Sequence, residues 1–148
     1  MKTKILMVCL GNICRSPLAE GILRGKVDSK RVYVDSAGTG GYHIGNPPDS
    51  RSVAVARKYG LNIEKQRCRQ FKTSDFGKFD VIYAMDRSNY NNILALAGSH
   101  TDITKVKLLL EEVDLPQKEV PDPYWDDDGF EKVFHLIDAA CEVIARGL

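Results

Sequence analysis

A chain of 148 residues, 43% hydrophobic and 28% charged, has the size and composition of one globular domain, large enough to bury a core without disulfide or metal staples. Its 21 lysines and arginines nearly balance its 20 aspartates and glutamates, giving a net charge of +1. That balance excludes a dedicated polyanion or membrane-surface binder, and no basic run tracks a nucleic-acid backbone. A single domain over 1–148 is expected, without repeat or linker.

Ile5, Leu6, Met7 and Val8 form an apolar run stopped at once by loop residues. Such a run reads as a strand buried on both faces. It is too short to cross a membrane and no small-residue cleavage site follows it, so a cytoplasmic location is expected. Cys9, Cys14, Cys68 and Cys141 lack the spacing of a secreted scaffold and are read as reduced. Ser16 suits an N-cap and Pro17 a first helical turn, so a helix should follow directly.

Val32, Tyr33 and Val34 read as a second strand, and the Gly- and Pro-rich stretch 39–48 as loop. A helix is expected from about 48 to 59, stopped by Gly60. Residues 81–85 read as a third strand, with Asp86 capping a helix that reaches towards Gly98, and residues 106–110 as a fourth. A long loop spans 115–129. Phe130, Val133, Phe134, Ile137, Ala140, Cys141 and Ile144 recur at helical spacing on a final helix. Asp126, Asp127 and Asp128 are read as a solvated turn, with Asp128 capping that helix and Glu131 completing a capping box. Strands alternating with helices predict an α/β fold: an open four-stranded parallel sheet with helices on both faces and a phosphate-binding loop after the first strand.

Ligands of such sheets bind beyond the carboxyl ends of the strands. The first such place is the loop Cys9-Leu10-Gly11-Asn12-Ile13-Cys14-Arg15-Ser16. A loop ending at a helix start offers unpaired N–H groups and partial positive charge to an oxyanion. Gly11 relieves crowding where the chain curls, and Asn12 tolerates a left-handed backbone. The residues from Leu10 to Arg15 can ring one phosphate, and the planar fork of Arg15 can hold two of its oxygens. The same field favours the charged form of Cys9, placing a nucleophile at the centre of the ring. Ser16 is within reach of Cys9 and can donate to it when the sulfur becomes a leaving group. Singly, a cysteine ending a buried strand is ordinary core and an arginine starting a helix is ordinary surface; their coincidence with Gly, Ser and Pro makes the case.

The run Val8 to Pro17 resembles the signature of the low-molecular-weight protein tyrosine phosphatases. The likeness continues through Val34-Asp35-Ser36-Ala37-Gly38, Gly45-Asn46-Pro47-Pro48-Asp49, Ala84-Met85-Asp86-Arg87-Ser88-Asn89 and Asp122-Pro123-Tyr124. The resemblance implies hydrolysis of phosphotyrosine through a cysteinyl-phosphate, without cofactor or metal. The expected partners are phosphotyrosine proteins or peptides, not nucleic acid or membrane, and inorganic phosphate is product and competitive ligand. Asp122, bracketed by Pro121 and Pro123, is then the general acid and base. Ile13, Tyr42, Tyr124 and Trp125 are expected to wall the pocket. Asn12 and Ser36 resemble a pair that braces the loop, with Gln66 in the place of a histidine that relatives often supply. Trp125 stands where many relatives carry a tyrosine.

Cys9 and Cys14 are expected to form a reversible disulfide under oxidation. Cys68 and Cys141 are read as structural. His43, His100 and His135 lack metal-like spacing and are read as surface or structural residues. Three alternatives stay open: arsenate reduction, which needs a downstream cysteine pair; protein-arginine phosphatase activity, whose holders tend to carry threonine in place of Ile13; and a non-catalytic phosphate-binding module.

Overall fold

The computed structural model describes residues 2–125 and 128–148; Asp126 and Asp127 of the expected acidic turn lie outside the described residues. The apolar run forms β1 (Thr3–Cys9), which pairs in parallel with β2 (Val32–Gly38) on one side and β3 (Val81–Ala84) on the other. β4 (Val106–Leu108) pairs with β3, giving one parallel sheet in the order β2-β1-β3-β4. The expected α/β architecture is therefore the one found.

Alternation along β1 divides the core. Ile5, Met7 and Cys9 face α1 (Arg15–Arg24), α2 (Ser50–Lys58) and α6 (Gly129–Arg146). Leu6 and Val8 face the other layer, with Phe71, Phe76 and Phe79 around α3 (Asp75–Lys78) and Ile93 from α4 (Arg87–Leu94). Ile5, Leu6, Met7 and Val8 are at most 1% exposed. Burial of that kind stabilises the fold by ~1.5–3 kcal/mol per large apolar side chain.

Several boundaries differ from expectation. β2 runs on through Asp35 and Ser36 to Gly38, because its ladder with β1 continues to the pair Cys9 and Gly38. β4 stops at Leu108 and turns into a 3-10 helix, Leu109–Glu112. α4 ends at Leu94, and a separate α5 (His100–Thr104) starts where the Ser99 hydroxyl accepts from the Asp102 N–H. α2 is capped by the Asp49 side chain, and Gly60 beyond it takes the left-handed φ of 83° that favours glycine. The capping box on α6 is not formed: the Asp128 side chain makes no cap hydrogen bond, and Glu131 is taken up by Lys58 of α2 and by Tyr59 just beyond it.

Candidate active site

The loop after β1 closes against the end of β2. Thr39 N–H donates to the Cys9 carbonyl and Gly40 N–H to the Leu10 carbonyl, both at 2.9 Å. The loop backbone lies so close to Gly38 that a Cβ there would stand 2.8 Å from the Leu10 oxygen and 3.1 Å from the Asn12 nitrogen. The left-handed residue in the curl is Asn12, with φ of 57°. A Cβ on Gly11 would stand 3.1 Å from the His43 ring, which would have to shift by a few tenths of an ångström.

Cys9 ends β1 and is 3% exposed. Its Sγ accepts from the Asn12 N–H at 3.3 Å and lies 3.0 Å from the Ser16 hydroxyl. Ser16 does not cap the helix: α1 begins one residue earlier, at Arg15, and the hydroxyl turns back to Cys9.

Behind the loop, Asn12 Nδ2 donates to Ser16 Oγ at 2.8 Å and to Ser36 Oγ at 3.0 Å, so the expected Asn12–Ser36 pair is present. Ser36 in turn donates to the buried Glu20 carboxylate at 2.7 Å. Burial pushes the Glu20 carboxyl above its ordinary range, against the lowering effect of Ser36 and Arg24. Gln66 is not part of this network, contrary to expectation. Its amide is held by the Pro17 carbonyl at 3.0 Å, too far along α1 to reach Asn12. The brace from that segment comes instead from the Arg69 N–H on Asn12 Oδ1 at 3.0 Å and the Cys68 thiol on the Asn12 carbonyl at 2.7 Å. Burial pushes the Cys68 thiol up to about 11 and raises that of Cys14 further, so both stay protonated at neutral pH.

Arg15 is 2% exposed. Its Nη1 donates to Asp86 Oδ2 at 2.6 Å and to the Val120 carbonyl at 2.9 Å, leaving Nη2 3.9 Å from Asp122 Oδ2. Burial opposes its charge, but Cys9, the Asp86 hydrogen bond and Asp122 outweigh that and hold its pKa above the ordinary value. Asp122 is oriented by the Tyr124 N–H, which donates to Oδ1 at 3.0 Å.

These groups line a cavity of about 350 Å³ formed by Cys9, Leu10, Gly11, Ile13, Cys14 and Arg15 below and Tyr42, His43, Asp122, Tyr124 and Trp125 above. Asn12 is absent from that lining, because its side chain is spent behind the loop. Tyr42 and Trp125 stand out at the rim, 73% and 87% exposed, with Trp125 packed edge-on to Tyr124. A larger cleft of about 700 Å³, bounded by Glu20, Arg24, Asp35 and Gln66, is lined by no cysteine, serine or threonine. Among the described residues no cluster of side chains suits a metal ion.

The sequence model of the family described as low molecular weight phosphotyrosine protein phosphatase matches residues 4–148. The chain belongs to that family. It is 41% identical over 149 residues to the low molecular weight protein-tyrosine-phosphatase YfkJ of Bacillus subtilis, covering 97% of this chain and 94% of the relative. The crystal structure of YfkJ superposes with a TM-score of 0.92 over 99% of this chain and 94% of that one, at 38% identity. Wzb of Vibrio vulnificus, solved in complex with benzylphosphonate, superposes with a TM-score of 0.89 over the whole of both chains at 29% identity.

In this member of the low molecular weight phosphotyrosine protein phosphatase family, four site residues escaped the sequence reading. Asp86 was recognised as a helix cap, and its second oxygen grips Arg15. Gly38 enters the sequence analysis only within the family resemblance, and its missing side chain makes room for the loop. His43 was set aside for want of metal spacing, yet it lines the cavity. Cys68 was assigned to general packing, and its thiol braces Asn12. Asp86 and Gly38 lie in segments that carry the family resemblance, whereas no local pattern marks His43 or Cys68.

Proposed function

We propose that the chain is a protein tyrosine phosphatase that cleaves phosphotyrosine in proteins or peptides through a cysteinyl-phosphate. The observation that carries the reading is the convergence of Cys9, Arg15 and Asp122 on one aromatic-walled cavity. Cys9 Sγ attacks phosphorus in line, forming the S–P bond as the P–O bond to the phenol breaks. Asp122 gives its proton to the departing oxygen. In the second step Asp122 takes a proton from water, the water oxygen attacks phosphorus, and Cys9 leaves with the Ser16 hydroxyl donating to it. Inorganic phosphate departs, and it competes with substrate for Arg15 and the N–H groups of residues 10–15.

The aromatic walls favour a phenyl ring. The benzylphosphonate held by Wzb, an aromatic ring bearing a phosphorus oxyanion, supports this reading. Arsenate reduction gains no support from the cysteines: Cys68 bonds the Asn12 carbonyl, whereas Cys141 is buried against Ala19 of α1. Ile13 on the cavity floor favours an aromatic ring over phosphoarginine. No helix among the described residues is long and apolar enough to cross a membrane. Residence in the cytoplasm is part of the proposal, supported by four cysteines that are all free thiols.

The test is a panel of phosphotyrosine peptide, phosphoarginine and arsenate assayed with the wild type, Cys9→Ser and Asp122→Ala. Cys9→Ser should abolish phosphate release from the phosphotyrosine peptide. Asp122→Ala should slow it by roughly 10²–10⁴-fold while sparing binding. Full activity in Cys9→Ser would sink the mechanism.

A further inference from the structure

Arg51, in the first turn of α2, ties together two loops that the proposed reaction needs in register. Its Nε and Nη2 straddle both oxygens of Asp49, each at 3.0 Å. That fork holds the Asp49 carboxyl below its ordinary range. The Asp49 N–H donates at 2.8 Å to the carbonyl of Ile13, within the loop that carries Cys9. On its far side Arg51 Nη2 donates to the Tyr124 carbonyl at 3.1 Å. Its guanidinium also lies over the Phe130 ring at 4.6 Å and the Tyr124 ring at 5.6 Å. Tyr124 is the residue whose N–H fixes the Asp122 carboxylate at 3.0 Å.

We propose that Arg51 is the positioning residue of the general acid, holding Asp122 and the Tyr124 wall at a set height above the phosphate loop. The inference rests on the phosphatase reading above. A fork with one edge on a carboxylate, a further N–H on a carbonyl and a face on two rings is a guanidinium arrangement; an ammonium makes one of these contacts at a time. Arg51 is not among the residues that line the cavity. Its effect passes through Tyr124 to a carboxylate whose work is confined to protonating the leaving group, and a misplacement near 1 Å is enough to cost such a step heavily.

Proton donation matters most for a poorly acidic phenol, so the readout is leaving-group dependence. We would measure kcat/KM, which reports phosphoenzyme formation, for phenyl phosphate and p-nitrophenyl phosphate with wild type, Arg51→Lys, Asp122→Asn and the double variant. Arg51→Lys should lose roughly tenfold on phenyl phosphate and less than about twofold on p-nitrophenyl phosphate. In the Asp122→Asn background the Arg51 change should cost nothing further. Equal losses on both esters, or a full additional loss in the double variant, would overturn the inference and leave the phosphatase reading intact. Failure of the wild type to hydrolyse either ester would overturn the phosphatase reading itself. If Arg51→Lys does not fold, Arg51→Gln and Asp49→Asn, which loosens the fork but keeps the guanidinium, carry the same comparison.

Discussion

Arg15 and Asp86 share a hydrogen bond of 2.6 Å that locks the phosphate-facing guanidinium to the N-cap of α4. The second carboxylate oxygen of Asp86 accepts from the Asn89 N–H at 2.8 Å, so one side chain holds a helix start and a guanidinium together. Replacing it with alanine takes from a buried cation its nearest carboxylate and from a helix its side-chain cap. Asp86→Ala should weaken competitive inhibition by inorganic phosphate roughly tenfold, with a loss of about 1 kcal/mol from the cap alone. Asp86→Asn should retain most of the cap and still weaken phosphate inhibition. Inhibition constants and urea unfolding of both variants separate the two effects.

Gly38 supports the loop by what it lacks. A methyl group there would sit 2.8 Å from the Leu10 oxygen, and that oxygen belongs to backbone that has no side-chain freedom to give way. Gly38→Ala should destabilise the protein by roughly 1–3 kcal/mol through overpacking. It should also raise the KM for an aryl phosphate, because the displaced atoms belong to the phosphate cradle. An unchanged KM would show that the loop shifts as a unit.

The Glu20 carboxyl, 3% exposed, has a pKa raised by burial, with Arg24 lowering it, Asp35 raising it and Arg69 lowering it. A raised acid binds its proton more tightly in the folded state. Stability therefore falls as pH rises from the ordinary value of 4.5 to the folded pKa, and stays reduced above it. Glu20→Gln keeps an acceptor for Ser36 and removes the buried charge. Its thermal midpoint should exceed that of the wild type at neutral pH, and the two should converge below about pH 4.

Oxidation offers a separate test. Hydrogen peroxide should convert Cys9 to a sulfenic acid, and attack by the Cys14 sulfur should then expel water to leave a disulfide. Burial pushes the Cys14 thiol up and keeps it protonated at neutral pH. Peroxide-inactivated wild type should recover activity fully with a thiol reductant, whereas Cys14→Ser should recover only in part. Full recovery of Cys14→Ser would remove the protective role.

Much of this arrangement is written in local sequence. β1 is legible because four consecutive apolar residues end at a loop, and α6 because its apolar residues keep a helical period across its whole length. α3 and α5 are not, since four and five residues cannot complete that period. The polar Asp35 and Ser36 hide the end of β2, whose extent is set by its partner strand and not by its own composition. Ser16 before Pro17 suits a cap or a first-turn position equally, and the hydrogen bond to Cys9 decides between them. Gln66 was placed by analogy with a histidine, while the contact that replaces it uses the backbone N–H of Arg69, which no side-chain pattern reveals. Asp86 and Arg51 act across 71 and 73 residues of chain, beyond the reach of any spacing rule.

The central place of β1 makes the two halves of the site unequal in rigidity. Cys9 rides on a strand paired on both flanks, so its surroundings dissolve only when the whole sheet does. The Asp122 side chain is 39% exposed on an irregular segment, its carboxylate bonded by the Tyr124 N–H and the Tyr124 carbonyl by Arg51. Amide hydrogen exchange should therefore be slowest along residues 5–8 and much faster along 121–125. In rising urea the protein should first become an enzyme that still captures phosphate but no longer expels poor leaving groups, and lose its anion grip only on unfolding.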